Sequence, residues 1–540
     1  MNRSLRPKKD LLMKKYLGFI VLSLLAACVS VRGDSPFHRY PPPQDVFIGQ
    51  SFMFTRPGYQ RLSMKNSLWH SVAYNEKGPQ EAAFQSIGYY QESSPYDYGP
   101  YYFMPSCKKE IMISGDDQKS NIYYRDVRAE WLNLPSDFVG FMSLCPAQRQ
   151  AGAIIEYQQD FSRFTKNDFL NDYWLNISIP LVWVKNDIGL TQAIGNYGTP
   201  VDGQPRDIRQ AFRQCDWYYS KICGAKQLVE PAEINFRLGK AYLSKNNFQL
   251  IYYTGLSIPM SKGQDARYMF APVAGYNGQL GLEVGFQGQI VLSKDEACCV
   301  FCLFAELESI FLLQDKQYRT FDLCRKPWSR FMLFNRRHGP PDQRIPGVNV
   351  LTRRVQVSPY TVVDFATGWR MKVGNIECEF GYGLWGHGTE KIEFLRKCQD
   401  ERFGCRACYN IEPCDQGTGI CRPCHQTPCS CEESEFGIAG TGCRISPISG
   451  QCEATSACQS TINYQASNDE AFISIRDSDL DLLSASSRSA ILHSAYASVG
   501  TFVHRGNITS FCGAGLAVDV PQRNSSLAGW SVWVKGGATF

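Results

Sequence analysis

Beyond residue 31 the chain has no long hydrophobic run: no later segment holds 18 consecutive apolar residues. That excludes a polytopic helical membrane protein, in which each span needs ~20 such residues. Amphipathic helical periodicity is scarce, so neither a helix bundle nor a coiled coil is expected. Charge is also sparse. Charged residues make up 20% of the chain, and 56 Lys and Arg against 51 Asp and Glu leave only +5. So small an excess gives no electrostatic footprint for nucleic acid. Catalytic signatures are missing too. The sequence contains no G-x-S-x-G, no H-E-x-x-H, no P-loop and no dinucleotide fingerprint. Seven histidines (His38, His70, His338, His387, His425, His493 and His504) are scattered, with no pair at helical metal-ligand spacing. His387 near Glu390 and His493 near Asp481 read as loop residues, and no enzyme is expected.

What the chain does have is cysteine, 22 residues in 540. So many point to an oxidising compartment. The amino terminus agrees. Lys8, Lys9, Lys14 and Lys15 precede an apolar stretch from Tyr16 to Val31. A basic region, an apolar region and then small residues make a secretory signal over 1–33, with cleavage after Gly33 and Met13 as an alternative start. Leu25-Ala26-Ala27-Cys28 also fits a bacterial lipobox, in which Cys28 is the lipidated thiol.

The mature chain is dominated by long period-two alternation. Leu280, Leu282, Val284, Phe286, Ile290 and Leu292 share a face, opposite Glu283, Gln287 and Gln289. Thr361, Val363, Phe365, Trp369, Met371 and Val373 oppose Asp364, Arg370 and Lys372. After Gly374-Asn375, Ile376, Cys378, Phe380, Tyr382 and Leu384 oppose Glu377 and Glu379. Phe301, Leu303, Ala305, Leu307 and Phe311 oppose Glu306 and Glu308. Strands put such sets on opposite sides. A β-sandwich would bury the apolar face, whereas a membrane barrel would turn it to lipid. Soluble strands run about 5–6 residues, and tilted membrane strands about 9–11. The runs here reach the longer figure, which favours the barrel.

The last segment reads Leu527-Ala-Gly-Trp-Ser-Val-Trp-Val-Lys-Gly-Gly-Ala-Thr-Phe540, with Trp530, Val532, Val534, Ala538 and Phe540 on one face and Lys535 on the other. This resembles the terminal strand of a bacterial outer-membrane β-barrel. The resemblance implies an all-β transmembrane antiparallel barrel, embedded in outer-membrane lipid. It also implies an assembly signal at Val532, Val534 and Phe540, read by the barrel-assembly machinery. The expected barrel has roughly 14–16 strands, in segments 66–395 and 471–540, after a periplasmic or plug-like segment 34–65. Short inner turns and long outer loops are the rule for such barrels. Counting back from Phe540 puts His504–Thr509 and Gly374-Asn375 at inner turns, and 387–490 and 335–358 outside. It then makes 314–318 an inner turn and 187–232 a long inner segment, against the rule.

Eleven cysteines fall in segment 396–470, expected as a Cys-rich extracellular loop: Cys398, Cys405, Cys408, Cys414, Cys421, Cys424, Cys429, Cys431, Cys443, Cys452 and Cys458. With few large apolar residues, that loop needs disulfides to hold a fold. An odd number leaves one thiol free, paired elsewhere, or linked between molecules in a homo-oligomer. Zinc is the alternative, since Cys405-x2-Cys408 and Cys421-x2-Cys424 approach ribbon spacing; no other cofactor is expected. Cys215 and Cys223 are spaced to pair across a small loop. The inward charges Glu283, Glu306, Glu308, Asp364, Arg370, Lys372, Glu377, Glu379 and Lys535 are expected to line the lumen. Tyr360, Trp369, Tyr382, Trp385 and Trp530 are candidates for interfacial girdles. The function expected is porin-like passage of small solutes, or a structural surface role. The alternative is a secreted, disulfide-rich β-sandwich for binding or adhesion.

Overall fold

Branched and aromatic residues at every second position favour extended backbone and give a strand two unlike faces. The computed structural model contains twelve long strands built this way. It describes residues 82–94, 110–118, 125–161, 173–244, 248–295, 299–324, 328–336, 344–395, 403–406, 442–445, 452–455, 472–506, 508–522 and 526–540. The long strands are β1 (Ala82–Ser94), β2 (Ala147–Asp160), β3 (Tyr173–Asp187), β4 (Glu233–Ser244), β5 (Phe248–Pro259) and β6 (Gly281–Asp295). They continue with β7 (Cys299–Leu312), β8 (Thr361–Val373), β9 (Ile376–His387), β10 (Ala490–Arg505), β11 (Ile508–Pro521) and β12 (Ala528–Thr539).

Each strand pairs antiparallel with the next in the chain. β12 then pairs with β1, from Ala83 opposite Thr539 to Ser94 opposite Ala528. The ring is therefore closed, an up-and-down barrel with no open edge. Backbone bonds at its seam run both ways between Ala82 and Phe540, at 3.0 and 2.9 Å.

Twelve strands correct the expectation of 14–16. The chain also forms short strands, among them Ile111–Ser114, Val139–Leu144, Leu190–Asn196, Asp315–Thr320 and Thr352–Ser358, that are not part of the wall. These pair with one another in small sheets beyond the end of the barrel. Five connections, 161–172, 245–247, 296–298, 374–375 and 506–507, join strands at one end. Gly374 and Gly506 take φ of +57° and +61° there, the left-handed backbone that tight hairpins need. The long connections 95–146, 188–232, 260–280, 313–360 and 388–489 all emerge at the other end, with the short one 522–527. The segments 314–318 and 187–232 thus lie at the loop end, not at inner turns. No strand crosses between 314–318 and 335–358, which removes the conflict in the strand count.

The long connections build a second core of their own. Trp131, Phe138, Ile208, Phe212, Trp217, Phe331, Phe334 and Val355 are buried together there. Phe212, Trp217 and Phe331 meet ring to ring at 5.3 to 5.7 Å. The Cys-rich insertion enters and leaves through this cap, because Phe403–Arg406 pairs with Leu333–Arg336 and with Phe472–Ser474.

Within the cap, Arg330 forks onto Asp322, Nε to Oδ1 at 3.1 Å and Nη2 to Oδ2 at 2.9 Å, and both are buried. Asp481 sits beside this pair, and its carboxylate accepts the Leu483 N–H at 2.9 Å. Burial, reinforced by the charge of Asp322, pushes the Asp481 carboxyl up to about 6 from its ordinary 3.8. A carboxyl raised in this way favours the folded cap while protonated, below pH ~4, and loses that contribution as pH rises through about 6. Asp481→Asn keeps the acceptor but removes the ionisation. The cap's melting temperature, followed by tryptophan fluorescence, is expected to fall between pH 5 and 7.5 in the native chain. In the variant that fall should be clearly smaller; an unchanged slope would remove Asp481 from the explanation.

Candidate functional site

The barrel wall sorts residues by face. On the inner face, β6 carries Glu283, β7 carries Glu306 and Glu308, and β8 carries Asp364 and Arg370. Glu377 and Glu379 lie on β9 and Lys535 on β12, and all eight are buried. Lys372 is half-buried near the turn end, its Nζ 4.5 Å from the Phe502 ring centroid.

These charges form two clusters. Arg237 of β4 is the centre of the first. Its Nε donates to Glu283 at 2.6 Å and its Nη2 to Glu308 at 3.0 Å, tying together three strands that are not all neighbours. The Tyr253 ring lies 5.6 Å from its guanidinium. Arg370 is the centre of the second, at 3.2 Å from Glu377 and 3.4 Å from Glu379. The guanidinium also stands 5.0 Å over Phe304. Glu306 accepts from Gln287 at 2.6 Å. Lys535 approaches the second cluster from β12, within the electrostatic reach of Glu379 and Glu377. Elsewhere on the wall, Glu156 accepts from Gln85 at 2.6 Å and from Asn176.

Large side chains fill the space between the clusters. Ile87, Tyr89, Ile154, Val182, Phe304, Tyr496 and Trp533 form a buried interior group. Two rings lie flat against glycines of the neighbouring strand, Tyr496 on Gly381 and Trp533 on Gly515. A Cβ at either glycine would stand 2.3 Å from ring atoms, so only glycine lets the rings lie there.

The outer face is an apolar band. Phe380 is 60% exposed, Val534 62% and Leu516 54%. Val532 and Phe540 point outward as well, as do Trp369, Tyr382 and Trp530. Two of the girdle candidates do not. Trp385 is wholly buried inside with Val362, Ile310 and Leu492, because residue 385 falls on the inward parity of β9. Tyr360 turns inward as well, stacking on His387 at 4.0 Å.

Arg237 was not singled out from the sequence. Its signal is Ile234, Phe236 and Leu238 alternating with Asn235 and Arg237. That run is brief and fades into Gly239 and Ala241.

Cys215 and Cys223 are free thiols, so the expected small disulfide loop does not form. Trp217 and Ile222 between them are anchored in the cap core. The backbone of Ser220 and Lys221 bonds to Ala266 and Arg267 instead of closing on itself. Cys302 is buried on the inner face, its sulfur 3.4 Å from Gln289 Nε2. Cys324 is disulfide-bonded to a cysteine whose side chain lies outside the described residues. For Cys405, Cys443 and Cys452 only the strand backbone is described. Cys28, Cys398, Cys408, Cys414, Cys421, Cys424, Cys429, Cys431 and Cys458 fall outside the described residues, and with them the disulfide, zinc and lipidation alternatives.

No family model matches the chain, and no curated protein matches it. Solved structures do. An outer-membrane channel from Pseudomonas putida F1 aligns at 10% identity and TM-score 0.34, over 86% of this chain and 98% of its own. The transport unit of the autotransporter AIDA-I from Escherichia coli aligns at 9% identity and TM-score 0.28, over 89% of this chain and 96% of its own. A Pseudomonas aeruginosa FadL homologue aligns at 8% identity and TM-score 0.28, over 91% of this chain and 99% of its own. The geometry itself carries the assignment. With a closed ring of long antiparallel strands, apolar outside and charged inside, and short turns gathered at one end, the chain is a membrane-spanning β-barrel of the bacterial outer-membrane type.

Proposed function

We propose that this barrel is an outer-membrane passage for small polar solutes, whose closed state is held by the buried ion pairs along its inner wall. One observation carries the reading: Arg237, Glu283 and Glu308, with Arg370, Glu377 and Glu379, are charged groups buried inside the wall. Removing a charge from water costs several kcal/mol per ion, and well-packed apolar replacements are often neutral or stabilising. Such an interior favours a passage, because wetting the lumen restores hydration to the same charges and lowers the cost of opening. The reading includes export through 1–33, insertion by the barrel-assembly machinery at Val532, Val534 and Phe540, and no catalytic step.

Arg237→Gln removes the cation between Glu283 and Glu308 and leaves two acidic side chains that gain by hydration. In planar bilayers, opening events are expected to rise about tenfold, the effect of roughly 1.4 kcal/mol on an equilibrium. Heat-modifiable gel mobility would show that the variant still folds. Silence from both native and variant protein, each folded, would overturn the passage. A second reading, a barrel that anchors a folded surface module, is favoured by the separate core of the cap, and that silence would support it.

A further inference from the structure

The cap presents a cleft that the lumen does not use. Residues 217–222 and 265–270 run side by side. Ser220 N–H donates to Ala266 C=O at 2.9 Å, Lys221 N–H to Arg267 C=O at 3.0 Å, and Met269 N–H to Lys221 C=O at 2.9 Å. Three non-glycine residues here take left-handed backbone, Ser220 at φ +54°, Ala266 at +59° and Phe270 at +54°. A Cβ makes that conformation costly, and such residues gather where geometry serves a ligand. Trp217 and Ile222 anchor the pair from below, in the cap core.

The two segments hold side chains around an opening of about 520 Å3, where Tyr218, Tyr219, Lys221, Arg267 and Tyr268 meet Tyr318 of the Asp315–Thr320 strand. Tyr219 and Tyr318 are stacked, with centroids 6.1 Å apart. Tyr218 is 67% exposed, yet its backbone is fixed: its N–H donates to Asn349 Oδ1 at 2.7 Å, and Asn349 Nδ2 donates to Asp216 C=O at 2.6 Å. Lys226 Nζ stands 4.1 Å over the Tyr268 ring. Asp265 is the acid of the cleft, 3.6 Å from Arg267 with both side chains well exposed, so Lys221 and Lys226 leave the rim cationic.

We infer that this cleft binds an acidic saccharide. A pyranose ring has a flat C–H face and a hydroxyl edge. Tyrosine matches it with a flat apolar ring and a polar tip. Tyr218 and the outward faces of the Tyr219–Tyr318 stack offer such rings on a backbone that is already ordered. The lysines and Arg267 select a carboxylate or sulfate on the sugar through charge-assisted bonds. The opening falls within the range of small-molecule sites, about 300–1,000 Å3.

Tetragalacturonate is the probe, titrated into the full-length protein in detergent and followed by calorimetry. It should bind saturably, and neutral maltotetraose at least about tenfold more weakly. Tyr218→Ala and Tyr318→Ala should each weaken binding about tenfold, as aromatic anchors do. Lys221→Gln should weaken it and flatten its salt dependence. All three variants should keep the heat-dependent gel shift, because the altered side chains stand at the surface of the cap. Absence of saturable tetragalacturonate binding would overturn the inference. So would binding untouched by both tyrosine variants, or tighter binding of benzoate than of the saccharide.

Discussion

Removal of Phe540 should lower the yield of folded, heat-modifiable barrel in outer membranes by about tenfold or more. The seam explains the size of the effect. Phe540 exchanges both of its backbone bonds with Ala82, at 3.0 and 2.9 Å, and its side chain extends the outward apolar row of β12. Without it, the N–H and C=O of Ala82 lose their partners at the point where the ring closes. Each backbone bond lost at the rim costs about 0.5–1.5 kcal/mol net, so the two together reach the 1.4 kcal/mol that is tenfold in an equilibrium. Loss of the outward apolar residue also removes the end of the assembly signal proposed at Val532, Val534 and Phe540. Phe540→Leu keeps the backbone bonds and an apolar side chain, so it should recover most of the yield. Native yield from the shortened chain would show that the seam closes without this pair.

Leu516→Arg should destabilise the barrel in vesicles by about 2–4 kcal/mol, the cost of a cation facing lipid near mid-membrane. Leu516 is 54% exposed, on β11 between Val532 of β12 and Ala497 of β10. Exposure of that size means opposite things in the two candidate environments. On a wet surface the same change would stay within about 0.5 kcal/mol. Urea unfolding in lipid vesicles separates the two outcomes, and a shift inside the smaller range would place this face in water.

The faces of the wall were legible because alternation is local. Glu306 and Glu308 between Leu303, Ala305 and Leu307 can only point away from them, whatever the rest of the chain does. The inward placement of Glu283, Glu377 and Glu379 follows in the same way. The number of strands was not legible. Val355 and Val357 alternate with polar residues in Thr352–Ser358 as in a wall strand, and only pairing with Asp315–Thr320 shows that this segment belongs to the cap. Pairing is a tertiary fact, and no periodicity encodes it. The cap core was hidden for the same reason: Phe212, Trp217 and Phe331 are far apart in the chain and meet only once the loops fold. The partnership of Arg237 with Glu283 and Glu308 likewise depends on which strands lie near each other around the ring. The spacing of Cys215 and Cys223 suggested a bridge, but burial of Trp217 and Ile222 holds the intervening segment in the core.

Labelling by lipids that carry a photoactivatable carbene on the acyl chain, mapped by peptide mass spectrometry, tests the membrane assignment most directly. Adducts are expected on Phe380, Leu516 and Val534, and none on their inward neighbours Glu379, Gly515 and Trp533. Equal labelling of both sets, or none on the outward residues, would mean that hydrocarbon does not touch this wall.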